Sequence, residues 1–171
     1  MMIRAADIIN ESIVDGEGLR LVVFAQGCAH HCPGCHNPSA LPFEGGYLTD
    51  NEAILDKIRR NPLLDGITLS GGDPFFQIES FASLAKAVRE HIISTNPDFT
   101  IMAYTGYTLE ELFLERERYL PLLEQIDILV DGPYMASRRS LDLIFKGSVN
   151  QRILDVKKSL LELRPVLYAL E

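Results

Sequence analysis

The chain has 171 residues, 47% of them hydrophobic and 23% charged, enough to bury one sizeable core and too few to argue for two domains. Its net charge of −8, with Lys and Arg scattered and gathered only into pairs such as Arg138-Arg139 and Lys157-Lys158, excludes a general nucleic-acid or membrane-surface binder, which needs clustered cations to face phosphate. The opening MMIRAADIINESIVDGEG carries Arg4, Asp7, Glu11 and Asp15 where a leader would be apolar, and no later run approaches a membrane span, so the expected location is the cytoplasm.

Taken in chain order, apolar runs alternate with helical patterns. LRLVVFAQ (19–26) predicts a buried strand. Thr49 or Asp50 is placed to cap TDNEAILDKIRR, where Ile54, Leu55 and Ile58 form an apolar stripe and Pro62 follows the stop. DGITLSGG (65–72) predicts a second strand, 78–91 a helix, FTIMAY (99–104) a strand, 108–120 a helix, and IDILVDG (126–132) a strand. The run ELFLERERYL reads as a solvated helix face, and in the tail RILDVKKSLLEL fits a helical period until Pro165 interrupts it. Such a series predicts an α/β fold in one domain: a mostly parallel, curved sheet forming a partial (β/α) barrel, with ligands at the carboxyl ends of the strands.

Two loops after strands are chemically unusual. In GCAHHCPGCHN (27–37), Cys28, Cys32 and Cys35 stand in the spacing C-x3-C-x2-C and are the only cysteines of the chain. Positions i, i+4 and i+7 would share one face of a helix, but Gly27, Pro33, Gly34 and Pro38 punctuate the segment and make it a loop. In a reducing compartment such a cluster points to metal rather than disulfides. Zinc would need His30, His31 or His36 as a fourth ligand. A 4Fe-4S cluster held by three thiolates leaves one iron with an open position, where a substrate can bind and accept an electron. The second loop, SGGDP (70–74), offers two glycines that let backbone approach a ligand and a carboxylate, Asp73, that could receive an ammonium group. Taken alone it reads more often as an ordinary strand-to-helix turn. YTGY (104–107) ends the third predicted strand, with Thr105 toward a ligand and Thr108 as an alternative N-cap.

The C-x3-C-x2-C loop after a first strand resembles the cluster loop of the radical S-adenosylmethionine superfamily. That resemblance implies a 4Fe-4S cluster on Cys28, Cys32 and Cys35 whose open iron is chelated by the methionine end of S-adenosylmethionine. It also implies that Gly71, Gly72 and Asp73 occupy the place of the superfamily's GGE-like motif, which holds the cofactor's amino group. Thr105 is implied near the ribose or carboxylate. The residue before the third cysteine is often aromatic in the superfamily and packs near adenine; here it is Gly34, so His36 or the local backbone must serve.

DGEGLR, GCAHHCPGCHN, LSGGDP, YTGY, DILVDGPY and FKGSVNQR, in that order, resemble the family of proteins that activate the anaerobic (class III) ribonucleotide reductase. The resemblance covers most of the chain, with the residues after Asp155 beyond it; the expected organisation is one radical S-adenosylmethionine domain, 1–171, which the family implies generates a glycyl radical on the reductase large subunit, supplied with electrons by a flavodoxin-like or similar reductant. Asp131, Arg138 and the stretch 147–152 match family positions without a derivable role. Activators of pyruvate formate-lyase are the nearest alternative. A plain electron carrier would hold its cluster with four cysteines, and a zinc module would have no need of SGGDP; neither is favoured. No paired carboxylates and no nucleophile beside a base are evident, so the chemistry is assigned to cofactor rather than to catalytic side chains.

Overall fold

The computed structural model describes residues 1–170. Strands β1 (Met2–Ser12), β2 (Arg20–Ala25), β3 (Tyr47–Asp50), β4 (Gly66–Gly71), β5 (Thr100–Tyr104), β6 (Ile128–Asp131) and β7 (Arg152–Asp155) join one sheet of seven in the order β3-β1-β2-β4-β5-β6-β7. The middle strands β2, β4, β5 and β6 run parallel, while β1 and β7 pair antiparallel to β2 and β6, and β3 to β1. The helices are α1 (Asn51–Arg59), α2 (Ile78–Val88), α3 (Leu109–Leu114), α4 (Arg116–Leu123) and α5 (Val156–Glu162). The sheet is open and curved, the partial-barrel α/β architecture expected from the alternating pattern. No helix among the described residues is long and apolar enough to cross a membrane.

Side chains alternate across the parallel strands with a period of two. Leu21, Val23, Ala25, Ile67, Leu69, Ile101, Ala103 and Leu129 join Leu55, Phe81, Leu84, Leu112 and Leu122 of the helices in the main core. The intervening Met102, Ile128 and Val130 meet Ile153 in a smaller cluster on the other face. Because both faces are covered over part of their length, these strands read as continuous apolar runs.

The helix starts follow from capping chemistry. Asp50 accepts from the Ala53 N–H, and Thr108 forms a capping box with Glu111. Two expected helices end differently: 78–91 passes into a π-helical turn at Arg89–Ile93, and 108–120 breaks at Glu115 (φ −123°, ψ 49°) into α3 and α4. The run ELFLERERYL is only partly solvated, since Leu112 and Tyr119 are buried. The tail departs most, because Arg152–Asp155 is a strand and Asp155 then caps α5. The reason lies in packing: Ile153 enters the small cluster and its neighbour Leu154 the main core, opposite faces that only an extended chain can reach.

DGEGLR builds a strap across the face that lacks helices. Arg20, 1% exposed, donates to Thr68 Oγ1 (2.8 Å), to Thr100 Oγ1 and O (3.0 Å each), to the Ile67 carbonyl (3.0 Å) and to the Glu17 carbonyl (3.0 Å). Thr68 in turn donates to the Asp15 carbonyl at 2.7 Å. Burial brings the guanidinium down to about 10, yet every bond it makes keeps the charge satisfied. Gly66 is required here, since a Cβ would stand 2.4 Å from Arg20 Nη2.

Candidate metal centre

The carboxyl ends of the parallel strands surround a cavity of about 430 Å³. Cys28, Cys32 and Cys35 line it from the loop after β2, Ser70, Gly71 and Gly72 from the end of β4, and Tyr104, Thr105 and Gly106 from the end of β5. Loops distant in sequence are thus brought together as the series of βα units requires.

The cysteine loop is shaped by its own backbone and by a return segment. Gly27 N–H donates to Ala40 O (2.7 Å), Cys28 N–H to Leu41 O (2.9 Å) and Cys35 N–H to Cys32 O (3.1 Å). Gln26, buried, spends its amide on the carbonyls of Ser39, Pro42 and Glu44 and holds the return. All three thiols are free, with Cys28 buried and Cys32 and Cys35 half-buried. Burial pushes the Cys28 thiol up to about 11, opposed by the His30 backbone N–H aimed at its sulfur and reinforced by the nearby Asp73 carboxylate. Metal would have to drive its deprotonation.

The SGGDP loop uses its residues in two ways. Gly71 (φ +105°) and Gly72 line the cavity with bare backbone, and neither has room for a Cβ: at Gly71 it would meet Ala25 N at 2.2 Å, at Gly72 the carbonyls of Gly27 (2.4 Å) and Ala40 (2.7 Å). Asp73 does not line the cavity; its side chain is 0% exposed. It accepts from Phe75 N–H (2.9 Å), His30 Nε2 (2.7 Å), Thr105 Oγ1 (2.9 Å) and Gly106 N–H (2.9 Å). The expected open carboxylate for an ammonium group is therefore a buried one already engaged by protein donors. Thr105 does reach the cavity, and Thr108 is the N-cap.

Gly34 (φ +74°) lies outside the cavity lining, facing Ala136 and Tyr134 instead. His36 lines the cavity and its ring lies 4.5 Å from that of Tyr134. Tyr134, which the sequence reading missed, supplies an aromatic wall from the loop after β6.

That loop also explains the stretch left without a role. Gln151 accepts from the N–H groups of Gly147 (2.8 Å) and Ser148 (3.2 Å) and donates to Gly132 O (3.0 Å), while Asn150 donates to Pro133 O (2.7 Å). Tyr104, its hydroxyl kept neutral by burial, donates to Phe145 O at 2.7 Å. The result is a wall carrying Tyr134, Phe145 and Lys146. Asp131 is structural: it caps Leu109 N–H (2.8 Å) and pairs with Arg152, which also meets Glu110. Arg138 is exposed, and its carbonyl receives Val149 N–H (2.8 Å).

The donor set, three thiols lining one cavity, fits an iron–sulfur cluster. In a 4Fe-4S cubane three thiolates can each bind one iron and leave the fourth open, and the three cysteines line one cavity. Fold and site together define an iron–sulfur α/β domain with an open, cofactor-sized cavity. Residues 14–154 match the family model described as a 4Fe-4S single cluster domain. The chain is similar to the anaerobic ribonucleoside-triphosphate reductase-activating proteins of Haemophilus influenzae (34% identical over 149 residues, 82% of this chain and 90% of that protein). It is also similar to those of Escherichia coli K12 (34% over 143 residues, 81% and 90%) and Enterobacteria phage T4 (31% over 144 residues, 82% and 86%). The chain belongs to the family of anaerobic ribonucleoside-triphosphate reductase-activating proteins.

Proposed function

We propose that this chain, as one radical S-adenosylmethionine domain, activates an anaerobic ribonucleotide reductase by generating a glycyl radical on its large subunit. The observation that carries the reading is that Cys28, Cys32 and Cys35, the only thiols of the chain, line one cavity together with bare backbone at Gly71 and Gly72. Three thiolates hold a 4Fe-4S cluster with one iron open. Cys28, Cys32 and Cys35 would hold the cluster, and the bound cluster with S-adenosylmethionine would supply the one-electron reduction and the hydrogen-abstracting chemistry that acts on a glycine α-carbon.

The chain's own residues bind and orient. Gly71, Gly72 and Thr105 present close backbone and a hydroxyl to the methionine end, and His36 with Tyr134 offers rings for adenine. Asp73 serves the same site from behind. At about 430 Å³ the cavity lies toward the lower end of the roughly 300–1,000 Å³ of ligand pockets, so cofactor leaves little room for a small substrate. Val14, 72% exposed, lines the mouth beside Ile13, and Ile144, 60% exposed, stands between the lining residues Leu143 and Phe145. Apolar groups at a mouth favour a macromolecular substrate. A flavodoxin-like reductant and a cytoplasmic setting complete the proposal.

The test is anaerobic reconstitution, reduction, and addition of S-adenosylmethionine and the reductase. A brown protein with about four irons that forms 5′-deoxyadenosine and methionine in equal amounts supports the reading. A colourless zinc protein, or an iron protein that leaves S-adenosylmethionine intact, overturns it.

A further inference from the structure

We propose that His30 is a positioning residue that locks the cysteine loop to the cofactor-binding ends of β4 and β5 through the buried carboxylate of Asp73; this deepens, and rests on, the function proposed above. Oδ2 of Asp73 gathers His30 Nε2 at 2.7 Å, Thr105 Oγ1 at 2.9 Å and Gly106 N–H at 2.9 Å, while Oδ1 takes Phe75 N–H at 2.9 Å. A carboxylate has about four acceptor sites, and four donors occupy this one. His30, Thr105 and Gly106 line the cavity and Asp73 does not, so the carboxylate stands behind the wall and organises it.

The arrangement is costly unless it has a use. Asp73 is buried near thiols that a cluster would need as thiolates, and like charges in a dry site repel. What it secures is the mutual position of three loops, one after each of β2, β4 and β5. Because a carboxylate only accepts, the His30 nitrogen facing it carries the proton, which fixes the ring's orientation. The ring is held besides by Tyr107 (centroids 4.5 Å, edge-on) and Phe76 (5.2 Å). Gly106 completes the fit, since a methyl there would lie 2.5 Å from Cδ2 of His30. His30 thus touches Cys28 through its backbone and the cofactor wall through its ring.

The prediction is that the bond serves cofactor binding and not cluster assembly. In anaerobically reconstituted holoprotein, His30→Leu should keep its iron but bind S-adenosylmethionine about tenfold more weakly, measured from the change the cofactor makes in the electron paramagnetic resonance signal of the reduced cluster. His30→Gln, whose amide nitrogen lies the same number of bonds from Cα, should stay within about threefold of the unaltered protein. His30→Asn, one methylene shorter, should resemble Leu, and it carries the test if the Leu variant does not fold. Dependence on reach separates positioning from general packing. Unchanged affinity in both His30→Leu and His30→Asn, or loss of iron in a folded His30 variant, overturns the inference alone. Failure of the unaltered protein to bind S-adenosylmethionine overturns the proposed function and this inference with it.

Discussion

The two walls of the cavity are built by different means. The wall carrying the cysteines and glycines is held by backbone hydrogen bonds between β2, β4 and the return segment, such as Gly72 N–H to Ala25 O (2.8 Å) and Asp73 N–H to Gly27 O (3.0 Å). The opposite wall, from Gly132 to Gln151, has little regular structure and hangs on side-chain amides, chiefly Gln151 and Asn150. The first is rigid because its bonds continue a sheet; the second takes its shape from a few side chains. Under the proposed function, the first wall would hold the cluster and the second, apart from the Tyr134 ring, would govern access.

The comparison breaks most visibly at the cysteines. Replacing Cys28, Cys32 or Cys35 by Ala should abolish both cluster and activity, read as iron per chain and the brown absorbance, because no other thiol exists to substitute. A full cluster in Cys32→Ala would remove the first wall's assigned chemistry. Gly72→Ala comes next. Its methyl would meet the carbonyls of Gly27 and Ala40, so it should displace the cysteine loop and lower iron content as well as cofactor binding, instead of merely crowding the cofactor. Normal iron loading in that variant would contradict the packing described.

Gln151→Ala sharpens the contrast from the other side. It strands the N–H groups of Gly147 and Ser148 and should cost about 1–3 kcal/mol of stability, with a lower melting temperature, while iron binding persists. Activation of the reductase should fall more than cofactor binding; equal losses would mean that the walls do not act separately. The smallest effect is chemical. In cluster-free protein, the alkylation rate of Cys28 should climb until pH nears 11, since a raised thiol pKa leaves less thiolate at any lower pH. Peptide mapping after a timed iodoacetamide pulse reads this directly.

Sequence made the first wall legible and left the second dark, for a physical reason. Strand runs, turn residues and cysteine spacing are local, so β2, β4, β5, β6 and the two loops could be read from their own neighbourhoods. Gln151, Asn150 and Tyr134 matter through partners many residues away, and nothing in GSVNQR advertises that its amides will hold Gly132 and Pro133. β7 is hidden because Ile153 and Leu154 fit a helical period as well as an extended one, and β1 because Arg4, Asp7 and Glu11 interrupt the apolar run that marks a strand. The SGGDP motif points Asp73 toward a ligand, whereas long-range bonds to His30 and Thr105 place its carboxylate behind the cavity wall.

The central claim is that this cavity makes a radical on another protein. Reduced protein, S-adenosylmethionine and the reductase would be mixed without oxygen, the reductase carrying either ordinary or α-deuterated glycine, and followed by electron paramagnetic resonance. The account predicts a doublet from the α-hydrogen that collapses on deuteration, with deuterium recovered in 5′-deoxyadenosine. Cleavage of S-adenosylmethionine with no radical on the reductase would contradict it.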